Sequence, residues 1–145
     1  MKKFLMTALV AASFITTSFA ADANKVNRFA QQNFKAQFAG STELSWTVNN
    51  NYTKASFVME GKKMEAFYDA SGDLIGTSVN ITVEQLPMSV KRTLAKKFAA
   101  YDVKETIQFQ DADATSYYIS VEKDTEQVVL KSTNGLVSTY KKIKK

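Results

Sequence analysis

The sequence predicts an α+β protein: two tandem helix-plus-four-strand antiparallel meander units that form one eight-stranded sheet with both helices on one face. The first observation is a helical segment with Phe34 and Phe38 four residues apart, followed by four short strand-like runs. The second is that Leu94 and Phe98 repeat this arrangement about 60 residues later, again before four runs. A pattern that occurs twice indicates a tandem repeat. The last two runs of each set are joined by the hairpin signals Ser71-Gly72 and Asn134-Gly135.

Residues 1–20 have the three parts of a secretory signal peptide. A pair of lysines is followed by an apolar stretch from Phe4 to Thr16 and then by Ser18-Phe19-Ala20, which places small residues where signal peptidase reads them. The apolar stretch is shorter than the roughly 20 residues of a membrane span. We therefore expect a periplasmic or secreted protein, cleaved after Ala20 or alternatively after Ala23, with no membrane span in the mature chain.

The first repeat is expected over residues 21–81 and the second over residues 82–145, together one compact domain. The first helix is predicted to begin at the cap residue Asn24 and to end near Ala39, before a Gly-Ser pair. Apolar residues spaced four apart form one face of this helix. They are Val26, Ala30, Phe34 and Phe38, with Phe29 beside them.

Four runs with a period of two follow the first helix, which is the pattern of half-buried antiparallel strands. They are "ELSWTV", "YTKASFVME", "KMEAFYD" and "LIGTSVNI", separated by turn residues. In the first two runs, the side expected to be buried carries Leu44, Trp46, Val48, Ala55, Phe57 and Met59.

The second repeat opens at Thr82, whose spacing to Gln85 fits a capping box. Pro87 stands where a helix can begin without losing a hydrogen bond. The apolar stripe of this helix continues through Val90, Leu94, Phe98 and Tyr101. The four runs that follow are "VKETIQF", "ATSYYISVE", "EQVVLKS" and "LVSTYKKI".

Composition excludes several kinds of chemistry. The chain has no cysteine and no histidine, which removes disulfides, thiol chemistry, the Ser-His-Asp triad and ordinary zinc or copper sites. Removing Lys2 and Lys3 from the 19 basic residues leaves 17 against 14 acidic ones, a net charge of +3. These residues are spread out except for the lysines at the C-terminus, which we interpret as the solubilised end of a last strand. Neither nucleic-acid binding nor a cofactor is predicted.

Acidic residues are the remaining candidates for catalysis or metal binding. Carboxylate pairs alone can hydrolyse glycosides, but the acidic residues lie on polar strand faces or in turns, which favours solvated surface. The candidates are Glu60, Glu65, Asp69, Glu105 and Glu122. The segments 69–73 and 111–113 resemble fragments of a calcium loop without its closing glutamate, and β-turns explain both. We therefore predict no catalytic and no metal-binding residue.

Aromatic residues on a polar strand face give the candidate binding site. Tyr52, Phe67 and Tyr118 share the strand parity of polar residues such as Lys54 and Glu122. Aromatic side chains anchor protein interfaces, so an open sheet face with these residues predicts a partner-binding surface. The alternative is that the aromatics are cross-strand pairs that fill a two-sided sheet. The predicted partner-binding residues are Tyr52, Lys54, Phe67, Tyr118 and Glu122.

The repeat resembles a known family. The segments "YTKASFVMEGKKMEAFYDASGDLIGT", "LPMSVKRTLAKKF", "DADATSYYISV" and "NGLVSTYKKI" are similar to those of the PepSY-like domain proteins exported by Bacteroidetes, which share a fold with the beta-lactamase-inhibitor protein. The resemblance implies a protein that binds or restrains an enzyme outside the cytoplasm. Because that inhibitor has disulfides and this chain has no cysteine, inhibition of a lactamase is not carried over.

These observations lead to three functional hypotheses. The first is an exported non-enzymatic binding protein that engages a protein or peptide partner in the cell envelope through the open sheet face, including an enzyme that it inhibits or regulates. The second is a module that binds a small ligand or an envelope glycan, and the third is a carboxylate-based hydrolase. On the first hypothesis, truncating Tyr52 and Tyr118 to alanine weakens partner binding with little effect on the melting temperature.

Overall fold

A computed structural model describes residues 25–144, so the predicted signal peptide, both cleavage sites and the predicted cap Asn24 lie outside the described residues. The strands follow one another in chain order in a single eight-stranded sheet, which confirms the predicted α+β class. The elements are α1 (Arg28–Gln37), β1 (Thr42–Val48), β2 (Thr53–Met59), β3 (Lys62–Tyr68), β4 (Leu74–Asn80), a 3-10 helix (Val83–Gln85), α2 (Met88–Lys97), β5 (Asp102–Asp111), β6 (Thr115–Lys123), β7 (Glu126–Thr133) and β8 (Leu136–Lys144). Contacts divide the chain into a first unit that ends at Ser78 and a second unit that begins at Val79.

Helix α1 is shorter than predicted and has a different cap. The Asn27 side chain caps it, accepting a hydrogen bond from the Phe29 amide at 2.8 Å. The helix ends at Phe38, whose amide donates to the Phe34 carbonyl. Ala30 and Phe34 face the strands and are buried. The prediction that Phe29 joins this face is wrong: the residue is 65% exposed, because adjacent helix residues point about 100° apart.

Aromatic rings form the core between α1 and its strands. The Phe34 ring lies 5.5 Å from Trp46 and 4.9 Å from Phe57, both edge-to-face, the arrangement that ring quadrupoles favour. In β1 only Trp46 is buried, so the prediction that Leu44 and Val48 join it on a buried side is wrong. A bulge between Thr42 and Ser45 shifts the pairing of β1 with β2, and β1 has no strand on its outer side.

The turn between β3 and β4 supports the start of α1. Asn27 Nδ2 donates to the Ala70 carbonyl at 2.8 Å and Asn33 Nδ2 donates to the Gly72 carbonyl at 2.7 Å. Gly72 has a φ of +89°, and a Cβ built there would lie 2.6 Å from the Ala30 amide nitrogen. Only glycine fits this position, because it needs both the left-handed conformation and the close backbone approach.

The second unit repeats this plan with aliphatic residues. The Thr82–Gln85 capping pattern is present, with Gln85 Oε1 accepting from the Thr82 amide, but it starts the 3-10 helix and not α2. Helix α2 begins immediately after Pro87, as predicted. The core of the second unit lies between α2 and strands β6 and β7. It consists of Leu86, Val90, Leu94, Ile119, Val121, Val128 and Leu130.

Ser132 is fully buried, and within residues 25–144 its hydroxyl oxygen is a buried polar atom without a hydrogen-bond partner.

The two outer strands of the sheet differ in how they are protected. Strand β1 carries its bulge at Glu43, whose φ is +55°. Strand β8 pairs with β7 on one side only, and Lys141, Lys142 and Lys144 along it are exposed. Among the helices of residues 25–144, none has the length and apolar character needed to cross a membrane.

Candidate functional site

The face of each unit's strands that points away from its helix, here called the far face, holds all the predicted site residues. In the first unit, the pairing of β2 with β3 places Lys54 opposite Phe67. The Tyr52 ring packs edge-to-face on Phe67 with centroids 5.5 Å apart. The structure therefore brings these three residues together, as the shared strand parity predicted.

An ion pair lies in the centre of the first unit's far face. Lys54 Nζ lies 2.8 Å from Glu65 Oε1, and the two side chains are only 10% and 21% exposed. The Ser78 hydroxyl approaches the other carboxylate oxygen at 3.4 Å. A buried pair of this kind stabilises a fold no more than well-packed apolar residues of similar volume, but removing one partner leaves an uncompensated charge. Loss of either side chain should therefore destabilise the first unit.

The far face of the second unit is organised around Tyr118. Its ring meets the Tyr140 ring edge-to-face at 5.4 Å, and the Lys131 ammonium lies 5.5 Å from the ring centroid, within cation–π range. Burial, with the Asp111 carboxylate as a smaller cause, raises the pKa of Tyr118 to about 12. Glu122 is half-buried on the same face, four residues further along β6, or about 13 Å at the rise of a strand.

The site residues are less accessible than an open face suggests. Phe67 is fully buried, Tyr118 is 2% exposed, and Tyr52 and Lys54 are each 8% exposed. The cross-strand ring pairs account for this burial, because each ring covers its neighbour. The sequence led us to expect that truncating Tyr52 and Tyr118 to alanine has little effect on the melting temperature. With this burial we expect each truncation to lower the stability strongly. Exposed positions of the first unit's far face lie around these rings, at Ser45 and Lys63.

Two aspartates hold turns through their side chains. Asp69 Oδ1 accepts from the Ser71 and Asp73 amides at 2.8 and 3.0 Å. Asp111 Oδ1 accepts from the Asp113 and Ala114 amides at 2.7 and 2.8 Å. Both segments are thus turns held by an aspartate, as the β-turn interpretation predicted. Across residues 25–144, no group of three His, Cys, Asp or Glu residues is arranged to hold a metal ion.

Sequence reasoning missed a cavity in the first unit. It has a volume of about 290 Å³ and lies between the end of α1 and the start of β1. We call it the Trp46 cavity, and its walls include Lys35, Phe38, Ser41, Leu44 and Trp46. Trp46 is the only tryptophan in the chain. An overlay of the two repeats, extended past the helix ends, would have shown that a small residue stands here.

Comparison with known proteins identifies the fold. No protein-family model matches the chain, and neither does any curated protein. Solved structures do match. A DUF2874 family protein of Bacteroides uniformis aligns with a TM-score of 0.73 at 14% identity, covering 82% of this chain and 89% of that one. The chain has the same fold.

Two further Bacteroides structures agree with this result. A candidate periplasmic protein of Bacteroides eggerthii has a TM-score of 0.71 at 17% identity, over 88% of this chain and 90% of that one. A BLIP-like protein of Bacteroides fragilis has a TM-score of 0.70 at 18% identity, over 82% and 87%. At these identities the likeness establishes a BLIP-like fold, and function has to be argued from the site.

Proposed function

We propose that the protein is an exported, non-enzymatic binding protein of the PepSY-like type. It binds a protein or peptide partner in the cell envelope through the far faces, and the partners include an enzyme that it inhibits or regulates. The observation that carries this proposal is the set of preformed aromatic pairs on these faces, each beside a lysine. In the first unit, Tyr52 and Phe67 lie with Lys54, and in the second, Tyr118 lies with Lys131.

The burial of these rings suits a binding surface that is ready before its partner arrives. Ordering a flexible side chain at an interface costs about 0.5–1.5 kcal/mol, and rings already packed on each other avoid that cost. The partner therefore meets a surface that the packed rings hold rigid from below, and its direct contacts are with exposed far-face residues such as Ser45 and Lys63. The Lys54–Glu65 pair, at 2.8 Å, selects against a partner that would place an unpaired charge over it.

An envelope location is supported by two independent observations. Residues 1–20 have the pattern of a signal peptide, and one protein of the same fold is a candidate periplasmic protein. The BLIP-like description of another agrees with the family resemblance in the sequence. Together they favour a binding role outside the cytoplasm.

Affinity capture from the envelope fraction of the producing cells tests the proposal. The protein should retain a defined partner, and Ser45→Arg or Lys63→Glu should abolish the capture, because each introduces bulk or reversed charge at an exposed far-face position. Lys96→Glu is the matched control for Lys63→Glu, since it makes the same charge change at an exposed position of α2.

Three results count against the proposal. If the wild-type protein captures nothing, it is not a partner-binding protein. If the far-face variants capture as well as Lys96→Glu does, binding occurs elsewhere on the molecule. Turnover of a glycoside that Glu65→Gln or Glu122→Gln removes would make the protein an enzyme.

A further inference from the structure

The two units have the same backbone at the end of their helices but different side chains. The Ser41 amide donates to the Phe38 carbonyl at 3.2 Å, and the Tyr101 amide donates to the Phe98 carbonyl at 2.9 Å. Ser41 and Tyr101 therefore occupy equivalent positions, each three residues after the phenylalanine that ends its helix. One repeat has a hydroxymethyl group where the other has a phenol.

In the second unit, the chain itself fills this position. The Tyr101 ring packs edge-to-face on Phe98 with centroids 5.4 Å apart. Its hydroxyl donates to Glu126 Oε2 at 3.1 Å. The carboxylate raises the pKa of Tyr101, because it accepts the phenolic proton in a hydrogen bond and repels the phenolate. In the first unit, the small side chain of Ser41 does not fill this space, and the Trp46 cavity, with a volume of about 290 Å³, remains open.

The charges around the position are reversed between the units. Glu126 opens β7 opposite Lys123 in the β6–β7 pairing, and Lys62 opens β3 opposite Met59 in the β2–β3 pairing. Lys62 thus holds the place of Glu126. The Trp46 cavity also has Lys35 in its wall. A group that fills the cavity meets Lys35 in its wall, where Tyr101 meets a carboxylate. Lys62 is not among the lining residues and is related to the position only by the pairing of β2 with β3.

We propose that the Trp46 cavity binds an aromatic side chain of the partner protein, presented next to a carboxylate. The ring takes the place against Phe38 that Tyr101 takes against Phe98, and the carboxylate pairs with Lys35. This inference rests on the proposed function and names the chemistry of the partner. Because the cavity lies on the helix side of the first unit, it requires a partner that reaches from the far face past the outer strand β1.

The composition of the cavity agrees with an aromatic anchor. Trp46 and Phe38 offer two ring surfaces, and Leu44, which is 43% exposed, forms an apolar wall at the opening. An edge-to-face ring pair contributes about 0.5–1.5 kcal/mol beyond the area it buries. Aromatic residues, Trp and Tyr above all, are enriched among the strongest contacts of protein interfaces, where they lie in well-packed pockets. A single ring in a cavity of this size therefore serves as an anchor within a larger interface.

Trp46 provides a direct readout, because it is the only tryptophan and lines the cavity. The probes are blocked short peptides with the central sequences Asp-Phe-Asp, Lys-Phe-Lys and Asp-Ala-Asp, together with phenylacetate as a free aromatic acid. The Asp-Phe-Asp peptide should change the Trp46 emission saturably, with calorimetry as a second measure of binding. The other two peptides should bind at least about fivefold more weakly, since each lacks either the ring or the favourable charge.

Exchanging the residues that differ between the repeats tests the location. Ser41→Tyr fills the cavity and should abolish peptide binding without lowering the melting temperature. Tyr101→Ser, its counterpart in the second unit, should lower the melting temperature and leave peptide binding unchanged. Leu44→Glu places a repelling charge at the exposed wall and should also abolish binding. Val48→Glu is its control, on the same strand at a similar exposure of 39%.

The outcomes separate this inference from the proposed function. If wild type captures a partner from the envelope fraction and Ser41→Tyr and Leu44→Glu capture it equally well, the partner does not use the cavity and the inference fails alone. If phenylacetate binds as tightly as the Asp-Phe-Asp peptide, the cavity is a small-molecule site and the inference is also overturned. Equal binding of all three peptides would contradict the assigned chemistry.

Discussion

Replacing Gly72 by alanine should destabilise the protein far more than the same change at Gly61. Both glycines have positive φ, +89° and +73°, so alanine is strained at either position. At Gly61 nothing lies within 4 Å of the added Cβ. At Gly72 the Cβ would lie 2.6 Å from the Ala30 amide nitrogen and 2.7 Å from the Phe29 Cβ. Because one of these atoms is helix backbone, α1 has to move away from the turn.

The two substitutions separate strain from collision. A left-handed conformation costs an L-residue about 1–2 kcal/mol, partly offset by the lower entropy of the unfolded chain, so we expect a loss of about 1 kcal/mol for Gly61→Ala. Overpacking adds about 1–3 kcal/mol, which brings Gly72→Ala to a loss of about 3 kcal/mol. For a chain of this size that is a fall in melting temperature of roughly 10 °C.

Urea denaturation of the two variants and the wild type measures the free energies of unfolding. Gly135→Ala supplies an intermediate point, since its Cβ would meet the Ser89 hydroxyl at 3.0 Å and this side chain can rotate away. The expected order of destabilisation is Gly72 greater than Gly135, and Gly135 greater than Gly61. If Gly72→Ala unfolds at the same urea concentration as Gly61→Ala, the turn does not hold α1 in the way described.

Three further predictions concern buried polar and aromatic groups. Tyr118→Ala should lower the free energy of unfolding by roughly 3–5 kcal/mol, while Tyr118→Phe keeps the ring contact with Tyr140 and should cost less than about 1 kcal/mol; equal losses would refute the importance of the ring. The pKa of Tyr118 is raised from 10.0 to about 12, so its neutral form contributes stability that is complete below pH 10.0 and is lost as the pH rises through about 12. Melting curves should therefore shift down between these pH values, and by less in Tyr118→Phe. Ser132→Ala removes a buried hydroxyl without a partner and should raise the free energy of unfolding by about 1 kcal/mol, measured by urea denaturation; a decrease would indicate that the hydroxyl is bonded.

The sequence predicted those features that depend on periodicity. The alternation of Ala55 and Phe57 with Lys54 and Ser56 placed each on the correct side of β2. A strand has a period of two, so a single buried residue determines the sides of its neighbours. The repeat likewise predicted α2 and its strands, because Leu94 and Phe98 stand in the places of Phe34 and Phe38.

Features that depend on tertiary contacts could not be predicted in this way. Leu44 lies in the bulge of β1 and Val48 at the end of this outer strand, and both are exposed although their alternation with Trp46 is regular. The burial of Tyr118 arises from Tyr140, a residue of another strand, and sequence parity does not tell whether a ring on a sheet face is covered. The local capping pattern at Thr82 was correct in kind but formed a 3-10 helix, since Pro87 starts the α-helix separately.

The outer strands have a consequence for the behaviour of the protein at high concentration. An unprotected outer strand offers free amide and carbonyl groups to another molecule, and sheets can then grow into aggregates. On β1, the left-handed backbone conformation of Glu43 interrupts the row of free amide and carbonyl groups. On β8, repelling charges come from Lys141, Lys142 and Lys144. Both outer strands of the eight-stranded sheet therefore carry a feature that disfavours pairing with a second chain.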